Sequence, residues 1–329
     1  MSTLGLLQMG LLAWALFIGL ASLIVASVYP LIRERIKTLA PQVRVVVLRA
    51  LYVTPIVAGL VGTILCFVPA ALGFVLPRFD HCQDHADGHG HFCMSHPPQT
   101  WGEFDMWLVI SALGLGYLAL ASTRLRRFMS SHRLLHQLTS TAHFDSCYDA
   151  WTVESDLPMA ITVGVIQKRT VLSSGLLQGI PSQLVEAIVA HERAHERRND
   201  ARWRVVTGFL SLAHVPSTRR ALRADLELAC EQTCDEEAGA LVGDRLRVAQ
   251  ALIEVERVRR SLDTLGSAVM AFGEHELGVR IRSLLGSPAR SAWNRSAVLG
   301  FLTVVALLAL ALSDPLHHFT ETLLGLVLG

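Results

Sequence analysis

The sequence predicts a mainly helical, multi-span membrane protein that also carries a smaller α+β domain. Hydrophobic residues make up 51% of the 329 residues and charged residues only 17%, and the mean hydropathy is +0.41. This composition is too apolar for an ordinary soluble domain. Four long apolar runs divide the chain, and the stretch between the third and the fourth is polar and long enough for one soluble core. The net charge of +1 gives no support for direct binding to nucleic acid.

Each apolar run approaches or exceeds the length of a membrane-spanning helix. The runs cover residues 4–29, 45–76, 106–122 and 297–312. The second run contains Pro55 and Pro69, which predicts a tilted or kinked helix. The first run has neither a basic segment before it nor a convincing cleavage site, so we expect a retained span rather than a signal peptide.

Basic residues lie mostly on one side of this path. They are frequent between the first two runs, after the third run and before the fourth, whereas the loop between the second and third runs has only Arg78. The positive-inside rule then predicts a multi-pass protein of a bacterial inner membrane with a cytoplasmic loop at residues 30–44. Residues 1–123 would hold three spans, residues 124–295 a cytoplasmic domain, and residues 296–329 the fourth span and a short extracytoplasmic tail.

The predicted extracytoplasmic loop, residues 78–104, is rich in histidine and cysteine. Two interpretations stay open: a disulfide between Cys82 and Cys93 that closes the loop, and a site for a metal ion that prefers imidazole and thiol ligands. The spacing matches no fixed zinc module. The candidate ligands are His81, Cys82, His85, His89, His91, Cys93 and His96.

A His-Glu-x-x-His run lies in a stretch that reads as helix over residues 182–198. Residues four apart lie on one face of a helix, so His191 and His195 can bind one Zn²⁺ through two imidazoles. Glu192, one position along, can act as the general base for an attacking water. The alternative is a solvated, charge-rich helix face, but the sequence downstream favours the metal site.

Two histidines leave a zinc site incomplete, and the best source of a third ligand is the acidic helix predicted over residues 225–238. Glu227, Glu231 and Asp235 fall four apart on one face, and such crowding destabilises a helix unless a cation lies opposite. We assign Glu231 as the third ligand, with Glu227 in reserve. Asp235 is expected to orient one histidine through its free N–H. Cys230 and Cys234 are either buried core residues or thiolate ligands.

Two β-rich stretches precede the histidine helix. Residues 148–153 and 160–172 read as strands, and the second stretch is expected to turn at residues 166–169. A sheet edge beside a zinc helix would let an extended peptide bind by adding a strand. An ordinary structural hairpin is the alternative, and both can hold.

Between Trp151 and Ala240 the sequence resembles the membrane metallopeptidases of the BlaR and MecR type, which are related to the HtpX-type membrane proteases. The matching motifs are Ser155-Asp156-Leu157-Pro158, Ser173-Ser174-Gly175-Leu176, the His-Glu-x-x-His run with Arg198 and Asp200, and Glu231-x-x-Cys234-Asp235. The resemblance implies a cytoplasmic, gluzincin-like α+β metalloprotease domain that binds zinc through the two histidines and Glu231. Glu192 would be the catalytic base, and Asp200 and Asp235 would support the ligands.

The sequence also departs from that family. β-Lactam sensors carry a penicillin-binding domain with a Ser-x-x-Lys nucleophile, whereas here neither Lys37 nor Lys168 has a serine three places before it. We therefore expect no β-lactam sensing by that chemistry. Further downstream, Arg280 occupies a position where the family has an Arg-Ile-x-x-Leu-Leu run, so it is expected to be structural or to face the site. His275 is either an oxyanion donor or a surface histidine.

The sequence thus favours a membrane zinc endopeptidase. Its substrate would be a protein or peptide, by resemblance a cytoplasmic transcriptional repressor or the protease itself, and membrane lipid would surround its spans. A non-proteolytic, metal-responsive membrane sensor with a structural zinc site is the second hypothesis. An intramembrane site-2-type protease ranks third, because charged residues such as Arg193 and Arg197 around the motif would be costly in hydrocarbon.

Overall fold

The computed structural model describes residues 3–75, 105–262, 267–286 and 311–328, which are mainly helical with one small mixed sheet. Three helices in this part of the chain are long and apolar enough to cross a membrane, over Gly5–Lys37, Pro41–Pro69 and Trp107–Ser130. They correspond to the first three predicted spans. The fourth predicted span, at residues 297–312, lies almost entirely outside the described residues, as does the histidine- and cysteine-rich loop with His81, Cys82, His85, His89, His91, Cys93 and His96.

The first two helices, α1 (Thr3–Lys37) and α2 (Pro41–Val75), pack along each other as an antiparallel pair. Only residues 38–40 separate them, so most of the predicted loop at residues 30–44 is helical. The third helix, α3 (Asp105–Thr139), continues without a break through the basic segment that begins at Arg124. The helix α1 continues past its apolar run and through Pro30, whose missing N–H leaves one helical hydrogen bond unmade, and ends only at the turn of residues 38–40.

The sheet has four strands in the order β1-β2-β4-β3: β1 (His143–Asp145), β2 (Ala150–Val153), β3 (Ala160–Val163) and β4 (Arg169–Ser173). As predicted, residues 160–172 form an antiparallel hairpin, β3 with β4. Sequence reasoning missed β1, and it did not foresee that β2 pairs with β4 in parallel. The consequence for the site is that β3 is an edge strand of this sheet and lies beside the histidine helix.

Helices complete the domain. A short helix, α4 (Ser174–Gly179), precedes α5 (Ser182–Arg198), whose bounds are those predicted. In the described part of the chain the further α-helices are α6 (Asp200–Leu210), α7 (Pro216–Val242), α8 (Arg245–Leu262), α9 (Ser267–Leu285) and α10 (Ser313–Leu328). Buried apolar residues of β2, β4, α4, α5, α7 and α8 form one core. That core fixes the apolar side of α5 and leaves its histidine side facing α7.

The acidic helix α7 also packs against the inner halves of α1 and α2. Val25, Leu48 and Leu222 belong to one buried apolar cluster shared by the three helices. Polar contacts join the same elements, because Asp225 accepts hydrogen bonds from Tyr29 and from the guanidinium of Arg33. The helix that carries the acidic stripe is therefore held directly by two candidate membrane spans.

The last helix, α10, packs against α2 at the other end of the pair. Its Leu316 contacts a buried cluster that contains Met9 of α1 and Cys66 of α2. In α2, Cys66 follows the α7-contacting residue Leu48 by 18 positions, or about 27 Å along a helix. The helix α10 and the helix α7 thus lie at opposite ends of the α1–α2 pair.

Candidate metal centre

The two histidines of α5 and one carboxylate of α7 converge on a single point. The Nε2 atoms of His191 and His195 are 3.2 Å apart, and each lies 3.4 Å from a carboxylate oxygen of Glu231. Three ligand atoms held about 2.0–2.1 Å from one zinc ion at tetrahedral angles are about 3.3–3.4 Å apart. Two imidazoles and one carboxylate are also a donor set that zinc accepts, so the residues present fit this metal.

The structure distinguishes Glu231 from the reserve candidate. Glu227 lies one turn earlier on α7, is half exposed, and pairs with Arg223 on its own helix. It contributes no ligand atom to the cluster formed by the histidine pair and Glu231. The predicted stripe of acidic residues therefore divides into one outward-facing residue and two, Glu231 and Asp235, that face the histidines.

Each histidine has its own carboxylate at the ring nitrogen that faces away from Glu231. Asp235 Oδ1 lies 2.9 Å from His191 Nδ1, and Asp200 Oδ2 lies 3.0 Å from His195 Nδ1. A neutral imidazole has one N–H, and a carboxylate at Nδ1 holds that hydrogen there and leaves the Nε2 lone pair free. Asp200 holds the Nδ1 hydrogen of His195 in this way, whereas Asp235 lies at a similar distance from Nδ1 of His191 but out of line with its N–H, so it acts there as a nearby negative charge. In both rings Nε2 faces Glu231, and it offers a lone pair once the ring is neutral.

The turn between α5 and α6 explains how Asp200 reaches back to His195. Asn199 ends α5 and starts α6 in the left-handed conformation, with a φ of 57°. Asparagine accepts this conformation more readily than most residues, because its short polar side chain can hydrogen-bond locally. The reversal places Asp200 in the first turn of α6, five positions after the histidine whose ring it orients.

Arginines neutralise the two buried carboxylates. Arg280 of α9 donates two hydrogen bonds of 2.8 Å to Asp235 and lies 3.1 Å from Glu231. Asp200 accepts a 2.8 Å hydrogen bond from Arg49 of α2 and pairs more loosely with Arg198. The Arg49 guanidinium also lies over the ring of Trp203, at 4.5 Å. Arg280 thus supplies the cation that the acidic stripe requires.

The pKa shifts follow from this arrangement. Burial alone would lower the pKa of His191, but the adjoining carboxylates of Asp235 and Glu231 outweigh it and raise the pKa to about 9. For His195 burial is likewise outweighed, chiefly by Asp200, and its pKa is raised further. Burial would raise the pKa of Glu231, but the two imidazoles and Arg280 hold it well below its usual range. The metal-free cluster therefore keeps protons on its histidines and negative charge on its carboxylates.

Glu192 and Thr162 form the neighbouring wall. The Thr162 hydroxyl lies 2.9 Å from a carboxylate oxygen of Glu192 and 2.8 Å from its backbone carbonyl. Sequence reasoning did not single out Thr162, and the signal was weak, since a threonine is common in a strand. A cavity of about 190 Å³ is lined by these two residues, the histidine pair and Glu231. A water molecule in this cavity can reach both the base and the predicted ligands.

Two further cavities open beside this one. An apolar cavity of about 300 Å³ lies between β3, α5 and α8 and reaches His191 and Glu192. On the other side, a cavity of about 610 Å³ reaches Glu231 and Asp200 and is lined by eight arginines but only four carboxylates. The basic lining residues include Arg124 and Arg204. A peptide at the site would thus meet an apolar surface on one side and an excess of positive charge on the other.

The remaining predicted residues are accounted for as follows. Cys234 is fully buried, 3.3 Å from His195 Nδ1, and burial raises its pKa to about 12, which favours a neutral thiol that fills the core. Cys230 is partly buried, and burial raises its pKa as well. Arg280 faces the site through Asp235 and Glu231. The side chain of His275 lies outside the described residues, so its predicted role stays a prediction.

A comparison with models of known protein families shows the family to which the chain belongs. A family model described as BlaR1 peptidase M56 matches residues 104–284, more than half of the chain. The chain belongs to the BlaR1 peptidase M56 family. This confirms the resemblance seen in the sequence and makes the protein a member of a membrane-associated metallopeptidase family. Neither the curated proteins nor the solved structures contain a match to it.

Membership in the BlaR1 peptidase M56 family bears on the cluster described above. A metallopeptidase family implies a metal, typically zinc, and protein or peptide substrates. The matched region contains α5, α7 and α9 with the histidine pair, Glu231 and Arg280. Three apolar helices agree with a membrane protein. The region that the family model matches therefore contains the cluster that the fold brings together.

Proposed function

We propose that this chain is a multi-pass inner-membrane zinc endopeptidase whose catalytic domain faces the cytoplasm. The observation that carries the proposal is the convergence of His191, His195 and Glu231, with Glu192 on the wall of the same cavity. Bound zinc would supply a Lewis acid that polarises the scissile carbonyl and activates water. The family match supports the peptidase class.

The residues around the proposed zinc site have separate roles in the reaction. Glu192 takes a proton from the attacking water and passes it to the leaving amine, and Thr162 holds its carboxylate in place. Asp200 keeps the Nδ1 hydrogen of His195, and the carboxylate of Asp235 places negative charge beside Nδ1 of His191, so the Nε2 atoms of both rings are left for the metal. Arg280 and Arg49 neutralise those two aspartates, which would otherwise be unpaired charges in a buried site.

The edge strand β3 is suited to hold the substrate. Among the described strands it pairs only with β4, so no described strand occupies its other edge. Ala160 and Thr162 of this strand line the cavity that contains Glu192. An extended peptide can add to such an edge through backbone hydrogen bonds, with alternate side chains entering neighbouring pockets. The adjoining apolar cavity of about 300 Å³ can accept a hydrophobic side chain of the substrate.

By resemblance to the sensor-transducers, the physiological substrate is a cytoplasmic transcriptional repressor or the protease itself. Cleavage would then convert an extracytoplasmic stimulus into a change of transcription. The packing of α7 against α1 and α2 supports such coupling, because the helix with Glu231 is joined to two candidate spans through Asp225, Tyr29 and Arg33.

The decisive experiment compares Glu192→Gln with a matched control, Glu186→Gln, an exposed residue of the same helix. The full-length chain is reconstituted in vesicles with zinc, and new peptide termini in added cytoplasmic protein are identified by mass spectrometry. The proposal predicts cleavage by wild type and Glu186→Gln, and none by Glu192→Gln, which should still bind zinc. If Glu192→Gln cleaves as well as wild type, the chain is not a peptidase of this mechanism. A metal-dependent signal that survives Glu192→Gln would favour the non-proteolytic sensor.

A further inference from the structure

A second cluster of metal-binding side chains lies on α10, at the end of the α1–α2 pair remote from Glu231. His317 Nε2 lies 3.2 Å from one carboxylate oxygen of Glu321, and His318 Nδ1 lies 3.9 Å from the other. One ligand atom from each of the three residues falls within 4.8 Å of the others. The ligand atoms are more widely spaced than in the cluster of His191, His195 and Glu231, but the donors are again two imidazoles and one carboxylate.

The tautomer of His317 is fixed in the form that a metal requires. Its Nδ1 lies 2.6 Å from the backbone carbonyl oxygen of Cys66 in α2. Because a carbonyl can only accept, Nδ1 carries the hydrogen, and the neutral ring presents its Nε2 lone pair toward Glu321. A backbone carbonyl at the far ring nitrogen is a common way to orient a histidine that binds metal.

Two of the three side chains are largely shielded from water. The side chains of His317 and Glu321 are only 7% and 9% exposed, whereas His318 is 39% exposed. Removing a carboxylate from water is costly unless positive charge compensates it. A divalent ion held by the two buried donors would add positive charge next to that carboxylate, and the exposed side of His318 gives the ion access from solvent.

We propose that His317, His318 and Glu321 form a second metal site that binds one divalent transition-metal ion. Imidazole and carboxylate donors favour Zn²⁺, Cu²⁺ or Ni²⁺ over Mg²⁺ and Ca²⁺, which prefer all-oxygen sites. Three protein ligands leave a coordination position for water or another ligand. The site does not depend on the proposed peptidase activity.

The position of the site gives it a physical connection to the catalytic domain. Cys66, which anchors His317, and Arg49, which binds Asp200, lie 17 residues apart on the same helix α2. The two positions are about 25 Å apart along the helix axis. An ion at α10 would therefore bind against a helix whose other end holds the carboxylate that orients His195.

The test counts bound metal in the full-length chain. Protein purified in detergent is stripped with a chelator, loaded with Zn²⁺ alone and desalted, and zinc per chain is measured by mass spectrometry. All variants carry His195→Ala as well, which removes zinc binding by His191, His195 and Glu231, so that the zinc measured per chain comes from other sites. In this background we expect His318→Ala and Glu321→Gln each to remove about one zinc ion per chain. His136→Ala, a change of an exposed histidine on α3, should remove none.

Two further arms keep the result interpretable. The metal-free thermal unfolding midpoint of each variant shows whether it is folded, and the exposed position of His318 makes its replacement mild. A variant with His89→Ala and His91→Ala in the same background measures how much of the counted zinc the loop of residues 78–104 binds, and the α10 variants are expected to lose their zinc ion independently of that amount. If both α10 variants are folded and keep all the zinc of the background, the proposal is overturned, and His317 and Glu321 are then only a buried ion pair. Loss of zinc in the α10 variants but not in His136→Ala supports it.

Discussion

Replacing Asp235 with Asn tests the electrostatic reasoning about the catalytic cluster. Asp235 is 1% exposed, accepts two 2.8 Å hydrogen bonds from Arg280, and lies 2.9 Å from His191. Removing its charge leaves Glu231 as the one remaining counterion of the buried guanidinium among the described residues. Breaking a buried ion pair by removing one partner costs about 3–5 kcal/mol, and we expect the lower end, about 3 kcal/mol, because Glu231 remains. Zinc affinity should fall about 10–100-fold, because His191 loses the negative charge beside its Nδ1.

The assay combines unfolding of the metal-free protein in detergent with zinc competition against a chelator. Glu227→Gln is the matched control, since Glu227 lies on the same helix and pairs only with the exposed side chain of Arg223, and it should change stability by less than about 1 kcal/mol. Adding Arg280→Met to Asp235→Asn should restore part of the lost stability, because the uncompensated buried charge is gone. The reasoning is refuted if Asp235→Asn is no less stable than Glu227→Gln and binds zinc as wild type does.

Three other predictions follow from the same contacts. Thr162→Val should lower the turnover number about 10-fold without loss of zinc, because Glu192 loses the hydroxyl that holds it; an unchanged turnover number would exclude that role. Arg49→Met should weaken zinc binding about 10-fold in chelator competition, because Asp200 loses its partner from α2, and unchanged affinity would show that this contact is not needed. The raised pKa of His191, about 9, means that its proton stabilises the metal-free fold fully below pH 6.5 and that this contribution is lost as the pH rises through 9. Zinc affinity, measured in a pH series, should therefore rise over the same interval as the protons leave, and a flat profile would contradict the assignment.

The histidine helix was predictable because every signal for it is local. Residues 182–198 carry the periodicity, the start at Pro181 and the His-Glu-x-x-His spacing in one continuous stretch, and the structure has a helix with those bounds. The acidic stripe of α7 was equally visible. The sequence could not separate Glu227 from Glu231 by their contacts, because both lie on the same face of the predicted helix. The structure separates them, since Glu227 pairs with Arg223 and Glu231 faces Arg280.

The contacts that join distant parts of the chain were not predictable in this way. Arg49 precedes Asp200 by 151 residues, and in the sequence it appears only as one of several basic residues beside a span. The strand β1 was missed because three residues, His143–Asp145, are too few to show an alternating pattern. The parallel pairing of β2 with β4 requires β3 to lie at the edge of the sheet, beyond β4, although β3 comes between them in the chain. A single sequence carries no signal for that order.

The structure also joins regions that the sequence separates. Composition divides the chain into spans and a polar domain from residue 124 onward. Packing instead places α7 of that domain against α1 and α2, through Leu222, Leu48 and Val25. Such an interface is hard to see in composition, because apolar residues that contact another helix look the same as those that contact lipid.

X-ray absorption at the zinc edge tests the central claim most directly. The full-length chain carries Cys82→Ser, Cys93→Ser and Glu321→Gln, which remove the loop thiols and the proposed α10 site, and one equivalent of zinc is added. The account predicts only nitrogen and oxygen ligands at about 2.0–2.2 Å, with imidazole scattering, and loss of that zinc in His195→Ala. A sulfur ligand at about 2.3 Å would contradict it, because the metal would then be bound by Cys234 with His195 and Asp200 rather than by the histidine pair and Glu231.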